Sequence, residues 1–502
     1  MTILDNIPRW RLATSTGLMI GLAYHPFLNL GFLAWFGFVP LLHIILHGSS
    51  RQSAKYGCYA GVTANLVAFH WIGFNNGASW IPVLLSLAGA VLYLAIFWGA
   101  VAWLSNLGKS FTTPLVLFPI YWVSMEWLRS LGPLGFPWAN LALTQSNHHY
   151  LIQIIDIAGP GMLALWLLLM NVGLYLMITT RKKVYIMSVT SLLILSWTYG
   201  FLRLASIEEQ EPVRELTIAV TQPNVDPNEK WDRANRDFMF TLMDSLHRAA
   251  IAREPDLILW PETALPTYIR LNRTTRGKLY RLVNTSGIPL LTGTVDKDWS
   301  QSGEARYYNG SVYFYPGREI ETYYKLQLVP FAEYIPLSEK FPDLKKLNFG
   351  QGNFTHGKEF TVFHVQGIPF SNVICYESSR PELIRQFIRR GAKFITIEAN
   401  DGYLGNSAGP YQHFALAKLR AIENRIPIVR SANTGISGII DQTGQEQFRI
   451  PIGARALKVG TISLLPVFSM YAKYGALFSY LCTIISTLCI GVSAWQKRKS
   501  FS

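Results

Sequence analysis

A cysteine, a glutamate and a lysine, set in three separate stretches of this chain, have the types and local settings that nucleophilic acyl chemistry needs. Cys375 lies in Ser371-Asn-Val-Ile-Cys-Tyr-Glu-Ser378, where a strand-like run gives way to a helix-like one. Glu262 lies in Leu259-Trp-Pro-Glu-Thr-Ala-Leu-Pro266, directly after an apolar run and between two prolines. Lys325 sits in the largely apolar stretch Tyr323-Tyr-Lys-Leu-Gln-Leu-Val-Pro-Phe-Ala-Glu-Tyr-Ile-Pro336, which also carries Glu333. A thiol attacks well only as thiolate, so a base must take its proton. Attack on an acyl carbonyl then builds negative charge that a fixed cation can hold. On this reading Cys375 is the nucleophile, Glu262 the base and Lys325 the cation, with a thioester as the intermediate. The same glutamate can return its proton to the leaving group and deprotonate a second, incoming nucleophile.

Each segment by itself has a blander reading: a capped turn, a surface ion pair, a buried small hydrophobe. Free cysteine is among the most buried residue types, and it is the three segments together that favour chemistry. Ser378 or Ser379 can cap a helix whose first turn accommodates Pro381. That would place the sulfur near the positive end of a helix dipole and lower its pKa from the free value of about 8.5. The other cysteines, Cys58, Cys482 and Cys489, lie in hydrophobic stretches. His413 is solitary in Tyr411-Gln-His-Phe414 and reads as a packed or hydrogen-bonded residue rather than a metal ligand. No metal or cofactor is expected, since the sequence holds no Cys-x-x-Cys, no His-rich cluster and no Gly-rich phosphate loop.

The elements that must position these residues are short β-branched or apolar runs. They are Leu216–Val220, Leu257–Trp260, Pro289–Gly293, Ser311–Tyr315, Ser371–Ile374, Phe394–Ile397, Ile426–Arg430 and Gly438–Asp441. Helix-like segments at 232–252, 274–286, 380–390 and 410–424 alternate with them, the pattern of a layered α/β domain. This domain is expected over residues 205–468.

On both sides of it the chain turns apolar. Seven candidate membrane spans, roughly 8–24, 26–47, 53–75, 81–106, 111–130, 158–180 and 183–203, make an N-terminal bundle over 1–204. An eighth, roughly 470–494, lies in the C-terminal part, 469–502. Most of the net charge of +14 flanks these spans, which reports membrane topology rather than a nucleic-acid face. With eight spans, Arg9 and Arg11, Arg51 and Lys55, Lys109, Arg181-Lys182-Lys183 and Lys497-Arg498-Lys499 all fall on one side. The positive-inside rule makes that side cytoplasmic, with both termini, and puts the α/β domain outside. Glu126 and Asp156 lie near span ends, where solvation or pairing, Glu126 with Arg129, is expected. The Gly- and Pro-rich connection Arg129–Trp138 reads as an interfacial turn with aromatic anchors or as a lipid-facing lip.

The Glu-Lys-Cys trio resembles the nitrilase superfamily, whose fold is an α-β-β-α sandwich. With spans on both sides, the chain most resembles the membrane-bound branch of that superfamily, the apolipoprotein N-acyltransferases. The residues that carry the resemblance are Trp-Pro-Glu262, Tyr-Lys325-x-x-Leu-Val-Pro-Phe-x-Glu333-Tyr-x-Pro and Ile-Cys375-Tyr376-Glu377. Asn400-Asp401, Gly405-Asn-Ser-x-Gly-Pro-x-Gln-His413 and Arg430-x-Ala-Asn-Thr-Gly435 add to it. The resemblance implies transfer of an acyl chain from a phospholipid to Cys375, then to the α-amine of a diacylglyceryl-cysteine at an apolipoprotein N-terminus. It also implies that Glu333 supports the cluster, that Tyr376 and Glu377 shape the site, and that Trp231 lies on a mobile arm near substrate. It further implies a bacterial inner membrane; a monomer is expected. The sequence departs from the family at Tyr403-Leu404, commonly Trp-Phe, and at Ala332, usually glycine; both bear on substrate-facing loops. A membrane-tethered amidase or nitrile hydrolase, using the same trio with water as acceptor, is the rival reading. A transporter or scaffold would carry charges deep in its bundle, and almost none are found.

Overall fold

The computed structural model describes residues 3–108, 112–338, 340, 341, 343 and 353–499; Lys109 lies outside them. The chain divides into two compact units. One comprises residues 1–73, 81–206 and 473–502, the other 74–80 and 207–472.

The second unit is a sandwich of two six-stranded sheets. Its strands are β1 Arg214–Gln222, β2 Leu257–Leu259, β3 Leu290–Trp299, β4 Ala305–Phe314, β5 Glu321–Tyr324 and β6 Phe363–Val365. They continue with β7 Ile368–Ile374, β8 Ile395–Ala399, β9 Ile428–Ala432, β10 Ser437–Ile440, β11 Glu446–Ile450 and β12 Ala456–Leu464. The sheet orders are β12-β1-β2-β3-β4-β5 and β11-β10-β9-β8-β7-β6. Each sheet has a parallel centre, β1-β2-β3 and β7-β8-β9, with antiparallel strands beyond it.

Side-chain alternation along the strands decides which layer each residue enters. Leu216, Ile218 and Val220 of β1, with Leu257 and Leu259 of β2, pack against Val373, Ile395, Ile397 and Val429 of the other sheet. The residues between them, Ala219 and Ile258, pack with Met243, Leu279 and Val283 of helices Arg236–Ile251 and Arg273–Ser286. Helices Pro381–Arg389 and Ala408–Asn424 join the core of the other sheet through Ile384, Phe387, Phe414 and Ala417. Each of the eight expected strand runs overlaps a strand, with Trp260, Pro289, Tyr315, Phe394, Ile426, Pro427 and Asp441 just beyond the strand ends. Four further strands, β5, β6, β11 and β12, lie at or next to sheet edges, where half-exposed residues weaken the apolar signal.

In the first unit, helices Arg9–Ala23, Val39–His47, Ser50–Phe69, Trp80–Leu107, Pro114–Arg129, Pro160–Thr180, Lys183–Glu208 and Leu477–Lys499 fall on the expected spans. Among the described residues, four helices are long and apolar enough to cross a membrane: Trp80–Leu107, Pro160–Thr180, Lys183–Glu208 and Leu477–Gln496. The stretch expected as span 26–47 is a short 3₁₀ turn, Gly31–Trp35, followed by the nine-residue helix Val39–His47. Buried Asn171 takes up the backbone groups freed at this break, accepting from Phe38 N at 2.7 Å and donating to Ala34 O at 2.8 Å. An apolar interior tolerates such a break only when these groups are satisfied.

Glu126 is not solvated, and its charge is coupled to that of Arg129 without a direct ion pair. It is buried, and its carboxylate accepts from Trp122 Nε1, Asn140 Nδ2 and Leu141 N at 2.8–3.0 Å. Arg129 donates to Ala139 O at 2.5 Å. These bonds fold the Gly/Pro-rich connection back on the end of its own helix, and Trp138 is buried against Trp71. Asp156 is paired as expected, with Arg203 Nε at 2.8 Å, and accepts from Tyr199.

Candidate active site

Three strand ends supply the cluster. Glu262 follows β2, and the loop behind it runs tight against β3. A Cβ on Gly293 would stand 2.5–2.7 Å from Thr263 N, Glu262 Cα and Pro261 O, so only glycine admits this approach. Lys325 directly follows β5 and Cys375 directly follows β7. Cys375 has φ +51° and Thr263 φ +46°, a conformation that costs a non-glycine residue about 1–3 kcal/mol and gathers at functional sites.

The polar atoms of Glu262, Lys325 and Glu333 form one buried network. Lys325 Nζ donates to Glu333 Oε1 at 2.8 Å, with side-chain exposures of 1% and 4%. Asn309 Nδ2, from β4, donates to Glu262 Oε1 at 2.7 Å and to Glu333 Oε1 at 3.1 Å. The backbone of Asn309 also accepts from Lys325 N at 2.9 Å. Glu333 Oε2 is held by Val329 N at 2.7 Å. Sequence reasoning missed Asn309. The available signal was an amide inside the otherwise β-forming run Tyr307-Tyr-Asn-Gly-Ser-Val312.

Glu377 is buried and ties the cysteine turn to the lysine loop. Its carboxylate accepts from Ile374 N at 2.8 Å, Leu326 N at 2.7 Å, Gln327 N at 3.0 Å and Tyr323 OH at 2.8 Å. Tyr376 is buried, with the Arg380 guanidinium 5.3 Å from its ring centre.

Trp231 is 45% exposed and is not brought into this network. Its neighbour Lys230 is: Nζ donates to Thr263 Oγ1 at 2.8 Å and to Glu262 O at 3.3 Å. Burial pushes the Lys230 ammonium down to about 7.

The helix-capping expectation at Ser378 and Ser379 does not hold. Both belong to a 3₁₀ turn, Cys375–Ser379, and donate backward, to Cys375 O and Tyr376 O. The helix begins only at Pro381, behind Arg380, which makes no side-chain cap. The thiol pKa is accordingly raised, not lowered. Burial pushes it up, the Glu262 carboxylate adds to this, and the Lys325 ammonium opposes both. Burial also raises Glu262, against the pull of Lys325. Lys325 runs the other way: burial would lower it, but Glu333, Glu262 and the thiol outweigh burial and keep it charged. A buried thiol coupled to a carboxylate and an ammonium can ionise by handing its proton to the carboxylate, with the ammonium left to hold charge on an acyl oxygen.

Two facing sheets with outer helices, and a cysteine, glutamate and lysine at their strand ends, define a carbon-nitrogen hydrolase domain. The family model described as carbon-nitrogen hydrolase matches residues 217–456, and the apolipoprotein N-acyltransferase N-terminal domain matches residues 16–173. An apolipoprotein N-acyltransferase of Geobacter metallireducens is 32% identical over 98% of this chain and 97% of its own length. One of Chlorobaculum tepidum is 30% identical over 96% of each. A solved amidase of Nesterenkonia sp. AN1 is 19% identical over 53% of this chain and 98% of its own, with a TM-score of 0.38. The chain belongs to the apolipoprotein N-acyltransferase family.

Proposed function

We propose that the protein moves a fatty acyl chain from a phospholipid to the N-terminal α-amine of a diacylglyceryl apolipoprotein, through a thioester on Cys375. The observation that carries this reading is the buried network of Glu262, Asn309, Glu333 and Lys325, electrostatically coupled to a thiol held at φ +51°.

In the first half-reaction Sγ attacks the ester carbonyl while Glu262 takes the thiol proton. The Lys325 ammonium holds the charge that develops on the carbonyl oxygen. Collapse of the tetrahedral species breaks the ester C–O bond, and Glu262 passes its proton to the departing glycerol oxygen, releasing a lysophospholipid. In the second half-reaction the α-amine attacks the thioester, Glu262 removes the amine proton, and the sulfur leaves and recovers that proton. An amide has replaced the ester, and the thiol is regenerated. Glu333 holds the Lys325 ammonium in place, and Glu377 fixes the two backbone turns relative to each other. Tyr376 packs beside the nucleophile, and Trp231 stands at the substrate side on the arm that Lys230 anchors.

The topology belongs to the same reading: eight spans, both termini cytoplasmic, and the α/β domain outside a bacterial inner membrane, as a monomer. The boundaries are 1–204 for the N-terminal bundle, 205–468 for the catalytic domain and 469–502 for the last span and tail. The distribution of basic residues supports this orientation.

The test uses purified protein and phospholipid bearing a labelled acyl chain. Label should appear on Cys375, be released by hydroxylamine, pass to a diacylglyceryl-cysteine peptide amine, and vanish in Cys375→Ser. Label that passes to water and never to the amine makes the protein a hydrolase instead.

A further inference from the structure

Asp401, His413 and Arg430 come from three separated motifs, and the acyl-transfer steps use none of them. All three are buried and meet in one cluster. Arg430 Nη2 donates to Asp401 Oδ2 at 2.7 Å, and Asp401 Oδ1 stands 2.7 Å from His413 Nδ1. Arg430 is fixed in turn by a bond from Nε to Ile436 O at 3.0 Å. Gly435, at φ +140°, lets the chain pass so close that a Cβ there would stand 2.6 Å from Asp401 Oδ2. Burial alone would raise the Asp401 carboxyl, but Arg430 and His413 outweigh it and hold the group below its ordinary value.

The other end of the imidazole faces the nucleophile's own backbone. His413 Nε2 is 3.0 Å from Cys375 O and 2.9 Å from Ser378 Oγ. A carbonyl oxygen can only accept, so this bond forms in the tautomer that carries its proton on Nε2, with Nδ1 then facing Arg430 Nη2 at 3.1 Å. Ser378 Oγ donates to the same carbonyl at 2.8 Å. The Cys375 carbonyl therefore has two side-chain donors, one of which is oriented by a buried carboxylate and guanidinium. Cys375 itself sits at φ +51°, a region its side chain rarely adopts.

We propose that Asp401, His413 and Arg430 form a positioning device that holds the Cys375 peptide in its left-handed conformation, through the His413 bond to the Cys375 carbonyl, and so aims the sulfur at the acyl carbonyl. On this proposal His413 and its two partners are positioning residues; His413 and Asp401 also offer atoms within 4.8 Å of the Cys375 sulfur, and His413→Gln, which cannot relay a proton, separates positioning from proton transfer. The inference rests on Cys375 being the acylated residue.

The experiment measures single-turnover acylation of Cys375 in the full-length protein by a labelled phospholipid, at varied phospholipid and normalised to folded protein. A misaimed nucleophile loses rate rather than binding. His413→Leu should lower the saturating rate by about 10- to 100-fold, with the half-saturating phospholipid concentration within about twofold of the parent. His413→Gln carries an amide N–H that can reach the same carbonyl and should recover to within about fivefold of the parent. Ser378→Ala, a mild change that removes the second donor, should slow acylation by a smaller factor. It decides the matter if His413→Leu does not fold. The inference is overturned if His413→Leu acylates at the parent rate, if folded His413→Gln is as slow as His413→Leu, or, where His413→Leu does not fold, if Ser378→Ala equals the parent. A parent protein that never acquires label at Cys375 would instead overturn the acyl-transfer reading. The rate of Cys375 alkylation by iodoacetamide then tests the device alone, with His413→Leu slower than the parent and His413→Gln restored. Equal alkylation rates for the parent and His413→Leu would overturn it.

Discussion

The side-chain amide of Asn309 donates to Oε1 of Glu262 at 2.7 Å. The same nitrogen reaches Glu333 at 3.1 Å, so one neutral donor stands between two buried carboxylates that would otherwise repel. The bond also works against the burial that raises Glu262.

Asn309→Leu removes that donor, and Glu262 should then titrate higher still. In the proposed mechanism acylation requires the unprotonated carboxylate, so its rate should fall as pH drops through the Glu262 pKa. For the parent this acid limb should lie above the ordinary glutamate value of about 4.3, and in Asn309→Leu it should move further up. The rate on the plateau should fall by about 10- to 100-fold. Single-turnover acylation from pH 4 to 9 measures both. An acid limb that stays put in Asn309→Leu would count against the assigned base.

Lys325→Met leaves Glu333 and Glu262 buried without their cation. Breaking a buried pair by removing one partner costs about 3–5 kcal/mol, and loss of a charge-stabilising donor lowers rate by about 10²–10³-fold. Both the denaturation midpoint in detergent and the acylation rate should fall. The double change Lys325→Met with Glu333→Gln should regain part of the stability and none of the rate. Recovery of the rate would show that the ammonium serves only to neutralise Glu333.

Glu377→Gln keeps the size of a side chain that accepts three backbone N–H bonds and a tyrosine hydroxyl. The new amide NH₂ must face at least one of those donors. An unsatisfied buried donor costs about 1–3 kcal/mol, and the turn bearing Cys375 loosens from the loop bearing Lys325. Lower stability and slower acylation are expected together, and loss of one without the other would argue against this linkage.

Lys230 carries a pH signature of its own. Its ammonium is depressed to about 7 by burial, whereas an unfolded lysine titrates near 10.4. Between those values the unfolded chain binds the extra proton. Stability from this site therefore rises with pH over that interval and is flat below it. Lys230→Met should remove this rise, which thermal melts in detergent from pH 7 to 10 can read. A parent and variant with parallel pH profiles would refute the depressed lysine.

Much of this protein was legible in local pattern. Short β-branched or apolar runs predicted eight strands of the sandwich, and Glu262, Lys325 and Cys375 stood out as charged or nucleophilic groups set at the end of, or within, apolar stretches. Length and apolarity marked the helical stretches, though not the break at residues 31–38, where Asn171 from a distant helix supplies the missing bonds.

The amino-acid order by itself determined which residues could do chemistry, because strand ends and residue types are local properties. Only the tertiary structure decided how they act. Burial and the nearby Glu262 raise the thiol that local reasoning had lowered. Asn309 joins two carboxylates from a strand that local pattern marked only as sheet, and Lys230 rather than Trp231 reaches the glutamate loop. Desolvation and charge pairing depend on what distant segments bring within a few ångströms, and no short stretch of sequence contains that information.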